Sequence, residues 1–419
     1  MLGRVRLLAL LALVGGGQAL AQDFTLTVLH TNDMHAHLEP TRVSGSTLGG
    51  YSRIATLIKK FRMQDDNVIL LNGGDMFQGT LYFNTYKGLA DLAFMNYVGF
   101  DGMAAGNHEF DEGPATFADF IRGAQFPVMA ANIDVSEDEN LNGLLGKSAV
   151  TYVMGEPIGL VGMITPELPE ISSPGDKIKM LDIVSTVQAE IDKHLARGIN
   201  KIVVVSHTGN NEEMEIARQL KGVDIIVGGH SHTFLGNTPI SDRIQPAGKY
   251  PAVGKNADGD TALVVQAWNW GLVLGRIKVV FDGEGKIKSW HDADPIPVTQ
   301  DIPEEPVMKS ILDAFRLPVE DLQTQVVGSA VNEIPRGAHD GGESIMGCMI
   351  ADAQLAATKH IGAVAAFINA GGVRANMDAG EITYGKAIEV QPFGNTLVVV
   401  DLKGSEIRDA LEHGVESGG

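Results

Sequence analysis

The chain has 419 residues, 44% of them apolar and 20% charged, which supplies a sizeable core and excludes wholesale disorder. Two or three domains are expected at that length. A formal charge of −20 repels phosphate backbones and excludes general nucleic-acid binding, but admits a small anion where a local cation overrides the field.

Arg4 and Arg6, the apolar stretch 7–14 and the small-x-small run Ala19-Leu20-Ala21 predict a secretory leader cleaved after Ala21. That stretch is too short to span a bilayer, and no later one approaches the length required. The mature protein is therefore expected to be exported, periplasmic or extracellular, without stable membrane insertion. The single Cys348 cannot form an internal disulfide or a thiolate zinc site, and reads as a small buried apolar side chain.

A strand is predicted at 24–29, then a helix on which Ile54, Leu57, Ile58 and Phe61 share one face. Residues 68–71 read as a strand buried on both faces, followed by a helix near 89–98 and a short strand before Gly106. Apolar runs at 158–164, 202–205 and 224–227 are strands, with helices at 183–195 and 212–220 between them. Strands at 262–266 and 275–281 then lead to the Asp282-Gly283 turn. This order predicts a layered α/β domain with added antiparallel strands over residues 22–295. Pro295, Pro297, Pro303 and Pro306 punctuate an acidic linker, 296–325, that enters a helix ending near Leu317. A smaller α/β domain is expected over 326–419, with a helix at 345–358, strands at 365–369 and 396–402, and a helix from near Ser405. Ending there, a domain of under about 100 residues reads as incomplete.

Five strands are each followed at once by potential metal ligands. Asp33 and His35 follow the first and Asp75 the second. Asn107 and His108 follow the third, His207 the fourth, and His230 and His232 the fifth. Open α/β sheets bind ligands beyond the carboxyl ends of their strands, where these residues gather. Carboxylate, amide oxygen and imidazole without thiolate suit zinc or manganese. Eight candidates exceed the needs of one tetrahedral ion, so two divalent ions sharing a carboxylate are expected. Such a pair lowers the pKa of a bound water and clamps a phosphoryl group.

Asp33-x-His35, Gly74-Asp75, Gly106-Asn107-His108-Glu109, His207 and Gly229-His230-x-His232 resemble the full calcineurin-like metallophosphoesterase signature. Leu29-His-Thr-Asn-Asp-Met-His35 and Gly106-Asn-His-Glu-Phe-Asp-Glu-Gly113 are similar to the secreted 5′-nucleotidase family. So are Asn369-Ala-Gly-Gly-Val-Arg374 and Pro392-Phe-Gly-Asn-Thr396, and the match covers nearly the whole mature chain. The resemblance implies a four-layered α/β/β/α catalytic domain and a substrate-binding domain. It also implies an exported phosphohydrolase acting on a small phosphate ester, most readily a nucleotide 5′-monophosphate. One ion would be held by Asp33, His35 and His232, the other by Asn107, His207 and His230, with Asp75 bridging. His108 would be catalytic and oriented by Asp111. Asn369, Gly371, Gly372 and Arg374 would form the substrate loop, and Phe393 would stack on the base.

Relatives on this scaffold hydrolyse cyclic nucleotides, nucleotide sugars and sulfur esters, so a thiosulfohydrolase-like reading stays open. A non-catalytic nucleotide-binding or adhesion module is the alternative from another class; ligands at every strand end argue against it. The family's Arg just before Glu343-Ser344 is absent here, with Arg336 nearby at a different offset. Its second base-stacking aromatic and ribose-binding acid would lie beyond residue 419. Oligomeric state, metal identity and base preference are not encoded legibly. Glu109 reads as a turn-binding carboxylate, His30 as packing, and the Asp134–Asp138 segment as a solvated loop. Trp268 and Trp270 read as alternating strand residues in a packing role, and His194, His291, His339, His360 and His413 as surface.

Overall fold

Period-two alternation in the apolar runs sends successive side chains into different cores. The computed structural model describes residues 23–337, 342–395 and 397–416; the expected leader at 1–21 and His339 lie outside them. In the strand Phe24–Thr31, Leu26 and Val28 face one way and Leu29 the other. Val68–Asn72 repeats this, Ile69 and Leu71 against Leu70. Within Ile202–His207, Val203 and Val205 join Leu26 and Val28, whereas Ile202 and Val204 turn towards a third cluster. Two sheets therefore share one apolar layer. Helices Tyr51–Gln64, Leu89–Val98 and Gly113–Gly123 cover the first sheet, and Ile183–Ala196 and Asn210–Ala217 the second. This is the four-layered α/β/β/α arrangement. Each large aliphatic side chain buried this way contributes about 1.5–3 kcal/mol, which is why these strands are apolar on both faces.

Phe24–Thr31, Val68–Asn72, Gly102–Ala104 and Val128–Met129 pair in parallel within the seven-stranded first sheet. Glu156–Ile164, Ile202–His207, Ile225–Val227 and Thr261–Val265 do the same in the six-stranded second sheet. Antiparallel strands extend both sheets: Val273–Phe281 and Ile287–His291 in the first, Ser148–Val153 and Ala252–Lys255 in the second. Parallel pairing brings the carboxyl ends within each sheet to a common edge.

Helix Pro306–Gln323 runs past its expected end at Leu317, through Pro318. Proline removes one helical hydrogen bond, but Val319, one residue on, is buried in the first core and offsets the loss. Beyond it, Val326–Ala330 pairs with Gly380–Thr383. Helix Ile345–Thr358 packs Met346 and Ile350 against Val373, Ala375, Met377 and Val390. The molecule is thus a two-domain α/β protein.

Several expectations need correction. No strand forms at 365–369 or, among the described residues, at 397–402, where Phe367, Val398 and Val400 are exposed. A strand needs a partner for its backbone, and neither run has one among the described residues. Cys348 is exposed, because it lies on the side of its helix opposite Met346 and Ile350. His194 is buried: with Val187 and Ile191 it completes the inward stripe of its helix, and its Nε2 lies 3.4 Å from the Leu160 carbonyl. Trp268 and Trp270 are not on a strand; both adopt left-handed φ, 55° and 56°. The loop beginning at Asp134 is folded on itself, with buried Asp138 accepting the Asn140 and Leu141 amides at 2.9 Å.

Candidate active site

At the common edge each strand end is followed by a sharp turn. Asp33, His35, Asp75, His230 and His232 all have positive φ, between 49° and 75°. Non-glycine residues in that region cost about 1–3 kcal/mol each and persist only where the surroundings over-determine them. Two glycines make the convergence possible. A Cβ on Gly74 (φ 90°) would lie 2.6 Å from His207 Nδ1, and one on Gly106 would lie 2.2 Å from Asp75 Oδ1.

Asp75 is central and buried. Its Oδ2 lies 3.1 Å from His207 Nε2, 3.8 Å from His35 Nε2 and 3.9 Å from His108 Nε2. Its Oδ1 accepts the His108 amide at 2.9 Å. Asn107 Oδ1 stands 3.1 Å from His207 Nε2 and 3.0 Å from His230 Nδ1. His232 Nε2 is 3.2 Å from Asp33 Oδ1 and 3.1 Å from His35 Nε2. His35 Nδ1 donates to the Phe77 carbonyl at 2.9 Å and His207 Nδ1 to that of Gly73 at 2.6 Å. In their neutral forms both rings then offer a bare Nε2 to the centre.

Among the described residues, three groups of ligand atoms lie close enough to hold an ion: Asp33-His35-His232, Asp33-Asp75-His207 and His35-Asp75-His108. The first matches a predicted set, and the second joins the expected bridging carboxylate to His207. Buried carboxylate and amide oxygens and imidazole nitrogens that face mainly one another are the chemistry of a divalent-cation site.

His108 differs from the others in its partner. Its Nδ1 donates to Asp111 Oδ2 at 2.6 Å, and Ser172 Oγ donates to Asp111 Oδ1 at 2.7 Å. Burial works against a charge on His108, but the Asp75 carboxylate and the Asp111 hydrogen bond outweigh it and hold its pKa above the ordinary value. Glu109, as expected, serves the turns, accepting the amides of Asp75, Met76, Phe77 and Gly106 at 2.7–3.2 Å. His30 packs on Tyr250, its Nε2 2.7 Å from the phenol. His37 stacks on Trp270 at 4.3 Å and donates to the His35 carbonyl.

The second domain faces this centre across a cleft of about 690 Å³. Asn369, Gly371, Gly372, Arg374 and Phe393 line it opposite Asn107, His108, Asp111 and His230. The Phe393 ring stacks on His108 at 5.2 Å, with the Arg374 guanidinium 5.6 Å from the same ring. Arg374 Nη2 reaches to 3.3 Å from His35 Nε2. All the sequence candidates therefore gather around one cleft. Arg336 does not line it: it faces a neighbouring cavity of about 380 Å³ and donates to the Arg374 carbonyl at 3.3 Å. Sequence reasoning missed Ser172, although it follows the strand Glu156–Ile164 and so belongs to the same edge. It also missed Asn269, whose Nδ2 is 3.1 Å from His232 Nδ1.

A calcineurin-like phosphoesterase model matches residues 26–234, and a 5′-nucleotidase C-terminal domain model matches residues 324–419. Calcineurin-like phosphoesterases use divalent metals. Mouse 5′-nucleotidase is 37% identical, covering 98% of this chain and 74% of its own. The crystal structure of a 5′-nucleotidase precursor from Thermus thermophilus superposes with a TM-score of 0.89 at 44% identity, covering 94% of this chain and 80% of that one. A sulfate thiohydrolase from the same organism shares the fold at 16% identity, with a TM-score of 0.69 over 88% of this chain and 74% of its own. Both halves match in the same order as in these relatives, and on a metallophosphoesterase scaffold with this edge of ligands the chain belongs to the 5′-nucleotidase family of hydrolases.

Proposed function

We propose that this protein is an exported phosphohydrolase that releases phosphate from nucleotides, 5′-monophosphates foremost. The observation that carries the reading is the meeting, in one cleft, of a divalent-ion ligand set, a His–Asp dyad and an Arg–Phe pair from the other domain. Residues 22–295 form the catalytic domain, 296–325 the linker and linker helix, and 326–419 the substrate domain. Asp33, His35 and His232 would hold one ion, Asn107, His207 and His230 the other, with Asp75 shared between them; zinc or manganese suits these donors. Bound there, two divalent ions would supply a strong nucleophile at neutral pH and positive charge for the phosphoryl oxygens.

The side chains supply the rest. Asp111 accepts a hydrogen bond from the Nδ1–H of His108, so the second proton of the charged imidazole, on Nε2, faces the cleft. A charged imidazole there donates to a phosphoryl or leaving oxygen as negative charge develops on it. Ser172 keeps Asp111 in that rotamer. Arg374 presents a planar fork to phosphate, a local cation in an acidic protein. Phe393 offers an aromatic face to a base, which favours nucleotides over sulfur esters. The leader-like first 21 residues support export; no helix among the described residues is long and apolar enough to cross a membrane.

The test is a substrate panel under metal-replete conditions: nucleoside 5′-monophosphates, cyclic nucleotides, nucleotide sugars and a sulfur ester. The 5′-monophosphates should give the highest kcat/KM, and chelation should abolish it. A sulfur ester or cyclic nucleotide turned over at least tenfold better would overturn the substrate assignment.

A further inference from the structure

We infer that Asn269 is a positioning residue that decides which ring nitrogen of His232 carries a proton. The inference rests on the reading above that His232 is an ion ligand.

The segment carrying Asn269 connects the strands Thr261–Val265 and Val273–Phe281, and it is tied down on both sides. Trp268 donates its amide to the Thr233 carbonyl at 3.2 Å, and Trp270 donates its own to that of Asp33 at 2.7 Å. Asn32 Nδ2 donates to the Trp268 carbonyl at 2.6 Å, and the Asn269 carbonyl accepts the Leu272 amide at 3.0 Å. Asn269 is thus pinned between residues flanking two of the proposed ligands. Asn269 is buried, 6% exposed, and the Nδ2 end of its side-chain amide meets His232 Nδ1 at 3.1 Å. The other end of the amide is buried without a partner.

The two ends of a primary amide have nearly the same shape, so chemistry decides which faces the ring. An NH₂ group facing Nδ1 would leave the His232 proton on Nε2. That nitrogen points at Asp33 Oδ1 and His35 Nε2, and a protonated nitrogen cannot ligate. With Oδ1 facing the ring, the amide accepts Nδ1–H and Nε2 presents its lone pair to the centre. The arrangement with Nδ2 facing the ring leaves Oδ1 buried with no donor among the described residues, so nothing at the far end holds it there.

His35 and His207 have no such choice. Their Nδ1 atoms meet backbone carbonyls, which can only accept, and their tautomers are fixed by the fold. His230 turns Nδ1 itself towards Asn107. At His232, by contrast, the nitrogen turned away from the centre meets a side chain with both a donor and an acceptor end. Turned end for end from the arrangement in which Nδ2 faces the ring, Asn269 holds Oδ1 towards His232 and thereby makes Nε2 a ligand.

The experiment is zinc titration of the metal-free full chain against a chromophoric chelator, for wild type, Asn269→Leu, Asn269→Asp and His232→Ala. Loss of a partner to a ligating His costs about 10–100-fold in metal affinity. Asn269→Leu should weaken one of the two binding steps by that factor. Asn269→Asp, which can only accept, should keep it. Nitrogen NMR of ¹⁵N-histidine-labelled, zinc-loaded wild type should show the His232 proton on Nδ1, a readout that does not depend on any variant folding. A proton on Nε2, an Asn269→Leu protein within twofold of wild type, or Asn269→Asp as weak as Asn269→Leu would overturn the inference. If His232→Ala keeps both steps at full strength, the ligand assignment itself fails; if only His232→Ala weakens a step, the assignment stands and the Asn269 inference alone falls.

Discussion

Asp91 lies in the core, on the helix Leu89–Val98, and is fully buried. Its Oδ1 accepts the Tyr51 hydroxyl at 2.6 Å, and its Oδ2 is buried without a hydrogen-bond partner among the described residues. Burial raises its pKa from 3.8 to about 7, against the opposing pull of the Tyr51 hydrogen bond. The unfolded chain releases this proton near pH 3.8 and the folded protein near pH 7. Between those values the folded state binds more protons, so stability falls as pH rises. The penalty is absent below the unfolded pKa and complete above the folded one, where it reaches about 4 kcal/mol. Asp91→Asn is neutral throughout and can still accept from Tyr51, but its buried NH₂ lacks a partner, at a cost of about 1–3 kcal/mol. The variant should therefore be no more stable than wild type at pH 4 and should gain about 4 kcal/mol relative to it by pH 8. Urea unfolding of both metal-free proteins across that range measures the difference, and the titrations they share cancel. Stability profiles that stay parallel from pH 4 to 8 would refute the reasoning, because an ionisation equally costly in both states leaves no pH-dependent gap.

Three further outcomes are expected. His108→Ala should lower turnover by about 10²–10⁴ while metal content stays near two equivalents, and loss of metal in that variant would make His108 a ligand instead. Asp75→Ala should damage metal retention more than Asp33→Ala, since the bridge serves both ions; metal analysis ranking them the other way would displace Asp75 from the bridge. Phe393→Ala should raise KM for a nucleotide by about 5–150-fold, the value of one base stack, yet spare p-nitrophenyl phosphate, whereas Arg374→Ala should weaken both. Equal losses on both substrates in Phe393→Ala would indicate damage to the His108 ring packed against it.

The catalytic domain was legible because its signals are local. Each proposed ligand sits within a few residues of an apolar run, so finding the run finds the edge, and Asp33, Asp75 and His207 need no tertiary knowledge to be suggested. The burial of His194 was equally available, since Val187 and Ile191 precede it at helical spacing on the same stripe. What could not be read depends on partners distant in the chain. Asn269 meets His232 across 37 positions, and Ser172 meets Asp111 across 61. Neither residue type announces such a task. The runs around Phe367 and Val398 have strand composition without a neighbouring strand, and composition cannot supply one.

The division of the proposed ligands between two sheets has a mechanical side. Asp33, Asp75 and Asn107 ride on the first sheet, His207 and His230 on the second, and the layer holding Ile69, Leu71, Val203, Val205 and Val227 lies between. The 3.1 Å gap from Asp75 to His207 is therefore calibrated by hydrocarbon. A close-packed interior passes displacement on instead of absorbing it. Shortening Val205, whose apolar side chain is buried between the sheets, should let one half of the centre settle towards the other. In this architecture the grease sets the gauge to which the chemistry is cut.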